Sequence, residues 1–214
     1  MTMAEETLQD EIRAMIDCIS RIYSRGWCDG TGGNYSHVLS HDPLTLLLTR
    51  SGVDKGRIRA EDFVVVDGEM RVLQASADVK PSSEGLVHAA IARHTGAKVI
   101  LHTHSVWGTL LSEHFADQRG LSISGYEMLK GLAGIGSSRD QVFVPVLRNA
   151  PEGHILADGV ARVLGRRPDM QGLLIAGHGL YTWGASLEQA QRHVEIFEFL
   201  LECTARQTGF QPLG

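Results

Sequence analysis

Two histidines separated by one residue, His102-Thr103-His104, close a run of mostly apolar residues that begins at Lys98. On a strand, residues i and i+2 point to the same side, which sets two imidazoles on one face. Two neutral imidazoles so placed can grip one divalent cation when a third ligand arrives from elsewhere in the chain. His178 suits that part, because Gly177 and Gly179 let the backbone turn sharply and bring the ring close. Three protein ligands with an open position describe a catalytic rather than a structural site. Histidine nitrogens favour zinc or another late first-row metal over magnesium or calcium. The competing reading is a pair of strand-end histidines bonded to backbone groups.

A cation that polarises a carbonyl needs a group to move protons. Glu84 opens a helix behind Lys80-Pro81-Ser82-Ser83, and Glu127 lies in Gly125-Tyr126-Glu127-Met128-Leu129-Lys130-Gly131. Beside a cation, charge attraction lowers a carboxyl pKa while burial raises it. Away from one, each is an ordinary surface or helix-start carboxylate. Three segments suit an anion. The loop Thr31-Gly32-Gly33-Asn34 can turn several N–H groups toward one point. Ser51-Gly52 can do the same after a strand. Ser82 and Ser83 stand at a helix N-terminus, where free N–H groups and the dipole favour negative charge. Neither a Walker loop nor a dinucleotide fingerprint is present. His37, His41, His114, His154 and His193 have no such company. His88 follows Glu84 by four residues on the same helical face, where it supports the site or simply packs.

These residues need a scaffold. Leu8, Ile12, Met15, Ile16, Ile19, Ile22 and Tyr23 recur at steps of three and four, which predicts a helix over 5–25. Strands are expected at 35–39 and 44–49, around a turn at Ser40-His41-Asp42-Pro43, and at 63–66 and 70–73, around Asp67-Gly68. A helix over 84–94, a buried strand over 98–104 and a helix over 106–114 follow. Residues 121–150 are harder to read, apart from a strand at 141–146. A helix over 155–164, strands at 172–176 and 180–183 and a last helix over 186–207 complete the chain. Strands and helices mix throughout, which predicts one α/β domain over residues 1–214 with a mainly antiparallel central sheet and helices on its faces.

Composition limits the function. Of 214 residues, 43% are hydrophobic and 21% charged, which excludes disorder and coiled coil. No apolar run approaches the roughly 18 residues of a membrane span. The net charge of −5, without a block of like charges, lacks the footprint of a nucleic-acid binder. Three widely spaced cysteines (Cys18, Cys28, Cys203) and an acidic N-terminus without an apolar core lead us to expect a reduced, cytoplasmic protein.

The order Gly-Thr-Gly-Gly-Asn, Thr-Arg-Ser-Gly-Val, Lys-Pro-Ser-Ser-Glu, His-Thr-His and Gly-His-Gly resembles the class II (zinc) aldolase and adducin head superfamily, from about residue 8 to 206. Within it, Thr49 to Gly56, Gly125 to Gly131 and Gly177 to Gly184 look most like the methylthioribulose-1-phosphate dehydratase family of methionine salvage. The resemblance implies an αβα sandwich around a mixed, mostly antiparallel sheet, assembled as a homotetramer. It implies one zinc per subunit on His102, His104 and His178, and phosphate binding by Thr31, Gly32, Gly33, Asn34, Ser51, Gly52, Ser82 and Ser83. It also implies an acid/base role for Glu84, as in the aldolases, or for Glu127, as in the dehydratases; some dehydratases carry cysteine where this chain has Glu84. The implied reaction removes the C3 proton of a ketose phosphate, with Glu127 as the expected base, and expels the C4 hydroxyl as water. The alternatives are a sugar-phosphate aldolase or 4-epimerase of the same superfamily, and a non-catalytic adducin-like module.

Overall fold

A computed structural model describes residues 3–75 and 79–209. In chain order the elements are α1 (Met3–Ser24), β1 (Asn34–His41), β2 (Leu44–Thr49), β3 (Phe63–Asp67), β4 (Val72–Ala75), α2 (Gly85–Thr95), β5 (Val99–Thr103), α3 (Val106–His114), β6 (Gly120–Ile123), β7 (Val142–Leu147), α4 (Gly153–Arg166), β8 (Gly172–Ile175), β9 (Gly179–Gly184) and α5 (Leu187–Gly209). Short 3-10 turns cover Lys55–Arg57, Ala60–Asp62 and Glu127–Gly131.

Nine strands form one sheet in the order β4-β3-β2-β1-β5-β9-β8-β7-β6. Every pairing is antiparallel except β7 with β8. Side chains alternate between the two faces with period two. On β3, Phe63 and Val65 join one apolar cluster with α1, α3 and α5, whereas Val64 and Val66 join the other with α2 and α4. Helices therefore cover both faces, as the sequence predicts.

The α1 stripe buries Ile12, Met15, Ile19 and Ile22. On α5, Val194, Phe197 and Leu201 are equally enclosed; burying each such side chain contributes about 1.5–3 kcal/mol. Gly96, at φ +66, ends α2 in the left-handed region that glycine occupies without strain. Ser105 caps α3 by accepting from the Gly108 N–H at 2.9 Å.

The structure departs from the sequence reading at several ends. The β1–β2 turn shrinks to Asp42-Pro43, because β1 pairs through to His41. The Asp67-Gly68 hairpin is longer than a two-residue turn: Asp67 accepts from the Glu69 and Arg71 N–H groups, and Met70 takes φ +65. The unread stretch contains β6, a four-residue edge strand too short to show a period.

Candidate active site

The centre of the sheet positions the site. All five residues of β5 are buried between β1 and β9, with Asn34 and Tyr181 opposite His102 in the two ladders. His102 Nδ1–H donates to the Leu180 carbonyl at 2.9 Å, which leaves Nε2 as a bare lone pair. Tyr181 stacks on the same ring, 3.9 Å between centroids. His104 lies one residue beyond the strand, where its N–H donates to the Trp27 carbonyl. His178 sits in the turn between β8 and β9, following Gly177 at φ +61. A Cβ on Gly179 would collide with the Thr103 carbonyl, so only glycine lets this turn approach β5.

The three rings converge. His102 Nε2 lies 2.7 Å from His104 Nε2 and 3.3 Å from His178 Nε2. A tetrahedral cation bound at about 2.0–2.1 Å holds its nitrogens roughly 3.3 Å apart. Glu84 adds a carboxylate, with Oε1 at 2.8 Å from His178 Nε2. Among the described residues these four form one group whose candidate ligand atoms all lie within 4.8 Å of one another. Burial holds His102 well below its usual pKa and pushes His104 down to about 4, with His178 adding to the second shift. Both are thus neutral, the form that ligates a metal. Three imidazoles and a carboxylate, gathered within ligand distance of one another, are a donor set that fits a borderline-soft divalent ion.

Glu84 occupies the N-cap position of α2. Burial raises its pKa, but the hydrogen bonds from His178 and Asn34 outweigh it and hold the carboxyl well below the usual range. Asn34 Nδ2 donates to Glu84 Oε2, and Asn34 Oδ1 accepts from His88 Nε2 at 2.6 Å. The Asn34 amide is thus committed to the carboxylate, and its backbone alone remains for an anion.

The segments read as anion-binding do meet. Thr31, Gly32, Gly33, Asn34, Ser51, Gly52, Ser82 and Ser83 all line one cavity of about 530 Å³, with Glu84 and His104 on its wall. Gly33, at φ +74, would place a Cβ 2.6 Å from the His102 carbonyl, which ties the loop to β5. Two cations of this cavity escaped the sequence reading. Lys55 is 1% exposed, and its Nζ donates to the Thr31 and Val53 carbonyls at 3.1 and 2.9 Å. Arg50 is held by Asp62 at 2.7 Å. The signal was Lys55 itself, a lone lysine inside Val53-Asp54-Lys55-Gly56.

A second cavity, of about 210 Å³, touches the other side of the same carboxylate. Glu84 and His178 form one wall, and Val87, Ala150, Pro151 and Leu156 supply apolar surface. Glu127 is elsewhere: its side chain is 73% exposed, and it accepts from Lys130 Nζ at 2.5 Å. The structure brings Glu84, not Glu127, to the histidines of the same chain. Behind β5, Glu198 of α5 is 1% exposed and accepts from Thr103 Oγ1 at 2.6 Å. Of the isolated histidines, buried His193 braces the Trp183 carbonyl and the Ala133 N–H, a packing role.

This sheet, with three histidines and a glutamate delivered to the wall of an anion-lined cavity, agrees with sequence comparison: the chain belongs to the Class II Aldolase and Adducin N-terminal domain family, whose profile matches residues 13–205. It is 35% identical, over 99% of its length and 98% of the relative's, to methylthioribulose-1-phosphate dehydratase of Picosynechococcus sp.. It is 40% identical to the protein of the same name from Azotobacter vinelandii, over 93% of this chain and 95% of that one. Among solved structures, L-fuculose-1-phosphate aldolase from Thermus thermophilus superposes with a TM-score of 0.74 at 24% identity, covering 94% of this chain and 96% of that one, a likeness of fold.

Proposed function

We propose that the protein is a methylthioribulose-1-phosphate dehydratase, a lyase that eliminates water from 5-methylthio-ribulose 1-phosphate to give 2,3-diketo-5-methylthiopentyl 1-phosphate. The observation that carries this reading is the convergence of three histidine Nε2 atoms and Glu84 on the wall of the cavity that gathers every anion-binding segment. The relatives' names supply the substrate.

His102, His104 and His178 would hold one Zn²⁺, which when bound would supply the Lewis acidity that loosens a proton beside a ketone. The phosphate rests on the Thr31–Asn34 backbone, Ser51-Gly52 and the Ser82-Ser83 helix start, with Lys55 below it. Glu84, ionised and fixed by Asn34, is placed to accept the C3 proton. The C4 hydroxyl leaves with a proton as water, and tautomerisation of the enol yields the diketone. The methylthio tail extends past Glu84 into the smaller apolar cavity. Glu127 supplies the leaving-group proton. Exposed within its own subunit, it does so at a neighbouring site of a homotetramer. Exposed Val106, Leu110 and Met128, at 62%, 56% and 42%, offer apolar surface for such contacts. Residues 1–214 act as one domain. Three free cysteines suit a cytoplasmic protein, and among the described residues no helix is long and apolar enough to cross a membrane.

The test is to incubate the zinc-loaded protein with methylthioribulose phosphate and follow diketone absorbance. His104→Ala is expected to lose metal and activity together. Glu84→Gln and Glu127→Gln are expected to keep metal but lose about 10²- to 10⁴-fold in rate, and mixing the two variants as subunits restores part of it. Retro-aldol cleavage of a ketose phosphate without diketone would move the protein to the aldolases. Folded protein that takes up no zinc would move it to the non-catalytic modules.

A further inference from the structure

We propose that His88 is a positioning residue, which fixes the end of the Asn34 amide that faces Glu84 and thereby aims the carboxylate. This rests on the reading that Glu84 works at the site.

The four residues interlock two elements. Glu84 and His88 lie one turn apart at the start of α2, and Asn34 and Ser36 lie two apart on β1, both facing that helix. Ser36 and His88 are fully enclosed and Asn34 is 4% exposed, so water does not compete. His88 Nδ1 lies 2.7 Å from Ser36 Oγ, and Nε2 lies 2.6 Å from Asn34 Oδ1. Asn34 Nδ2 then meets Glu84 Oε2.

An asparagine amide has two ends of nearly equal shape but opposite hydrogen-bonding character. If its oxygen faced Glu84, two acceptors would oppose each other in a buried place, which costs as much as a lost hydrogen bond or more. His88 removes that choice. With Ser36 O–H donating to Nδ1, the ring carries its proton on Nε2 and donates to Asn34 Oδ1. The amide must then point its N–H₂ at the carboxylate. All three bonds run in one direction, from Ser36 to Glu84, and the buried His88 ring holds the amide oxygen at the end away from the carboxylate. The free lone pairs of Glu84 are left to face His178 and the cavity. A phenylalanine at 88 would fill the space yet let the amide turn over.

The test has two arms. Neutron diffraction from crystals of the wild-type holoprotein, exchanged into deuterated buffer, reads the protons directly. Deuterium on His88 Nε2 and two deuterons on the Asn34 nitrogen nearest Glu84 are expected. Deuterium on Nδ1, or an Asn34 oxygen against Glu84, overturns the proposal, and this arm stands whatever the protein's substrate is. The second arm is a double-variant cycle with methylthioribulose phosphate. His88→Phe is expected to lower kcat, by up to about 10²-fold as for a misplaced reacting group, with KM and zinc content held. His88→Phe combined with Asn34→Ala should be no slower than Asn34→Ala alone. Multiplying losses, or a His88→Phe enzyme with full kcat, overturns it. A wild-type protein inert toward this substrate refutes the dehydratase reading and leaves the neutron arm to decide.

Discussion

Glu198 should make the stability of this protein depend on pH in a direction opposite to most carboxylates. Burial raises its pKa from 4.5 to about 7, and hydrogen bonds from Ser105 and Thr103 only partly offset that rise. Both donors are neutral hydroxyls, so they compensate a negative charge there only in part. The native state holds a proton that the unfolded chain has released between these two values. The stability this proton provides is complete below pH 4.5 and is lost as pH rises through about 7. A shift of some 2.5 units corresponds to about 3 kcal/mol at 1.36 kcal/mol per unit. Glu198→Gln keeps an acceptor for Thr103 and cannot ionise. In urea unfolding of zinc-stripped protein, wild type and variant should be nearly equal at pH 4.5. At pH 8.5 the variant should be more stable by about 3 kcal/mol. A gap that stays constant between the two pH values would refute the argument, since a purely steric effect of the amide does not titrate.

Three further outcomes are expected. Lys55→Met should raise KM about 10- to 150-fold with smaller change in kcat, the worth of a hydrogen bond to a charged group; steady-state kinetics check it. Ala150→Phe should fill the apolar cavity beside Glu84, so that turnover of methylthioribulose phosphate falls while 5-deoxyribulose 1-phosphate, which lacks the sulfur, is spared. Equal loss on both substrates would place the tail elsewhere. Gly33→Ala should cost about 2 kcal/mol or more, because a positive φ strains a side chain and the new methyl meets the His102 carbonyl; a thermal melt with bound zinc reads it.

The sequence exposed the histidine cluster because its parts are short motifs with a geometric meaning. His102-Thr103-His104 needs only strand periodicity to place two rings together, and Gly177-His178-Gly179 announces a tight turn. The anion segments carried the same kind of local signal, and the cavity lining gathers all eight residues. Short apolar runs at β2, β3 and β5 and the stripes of α1 and α5 made the layered fold readable. Lys55 did not stand out, since its burial depends on a 3-10 turn packing under a distant loop. The Ser36–His88–Asn34–Glu84 chain is also invisible along the sequence: it needs β1 laid against α2, and helical spacing alone left His88 between packing and support. Glu127 shows the opposite case. Its segment is distinctive, yet one chain leaves the side chain in solvent. β6 was lost because four residues at a sheet edge carry too little pattern.

The bond from His102 to the Leu180 carbonyl has a consequence for how such a protein drifts over generations. In many metalloproteins an aspartate or glutamate side chain orients the coordinating imidazole, and a single codon change removes it. Here the peptide group does this work, and every amino acid brings the same oxygen. Position 180, buried in the core, can therefore exchange one apolar side chain for another while the tautomer it dictates is inherited intact, provided the neighbouring strands keep their register.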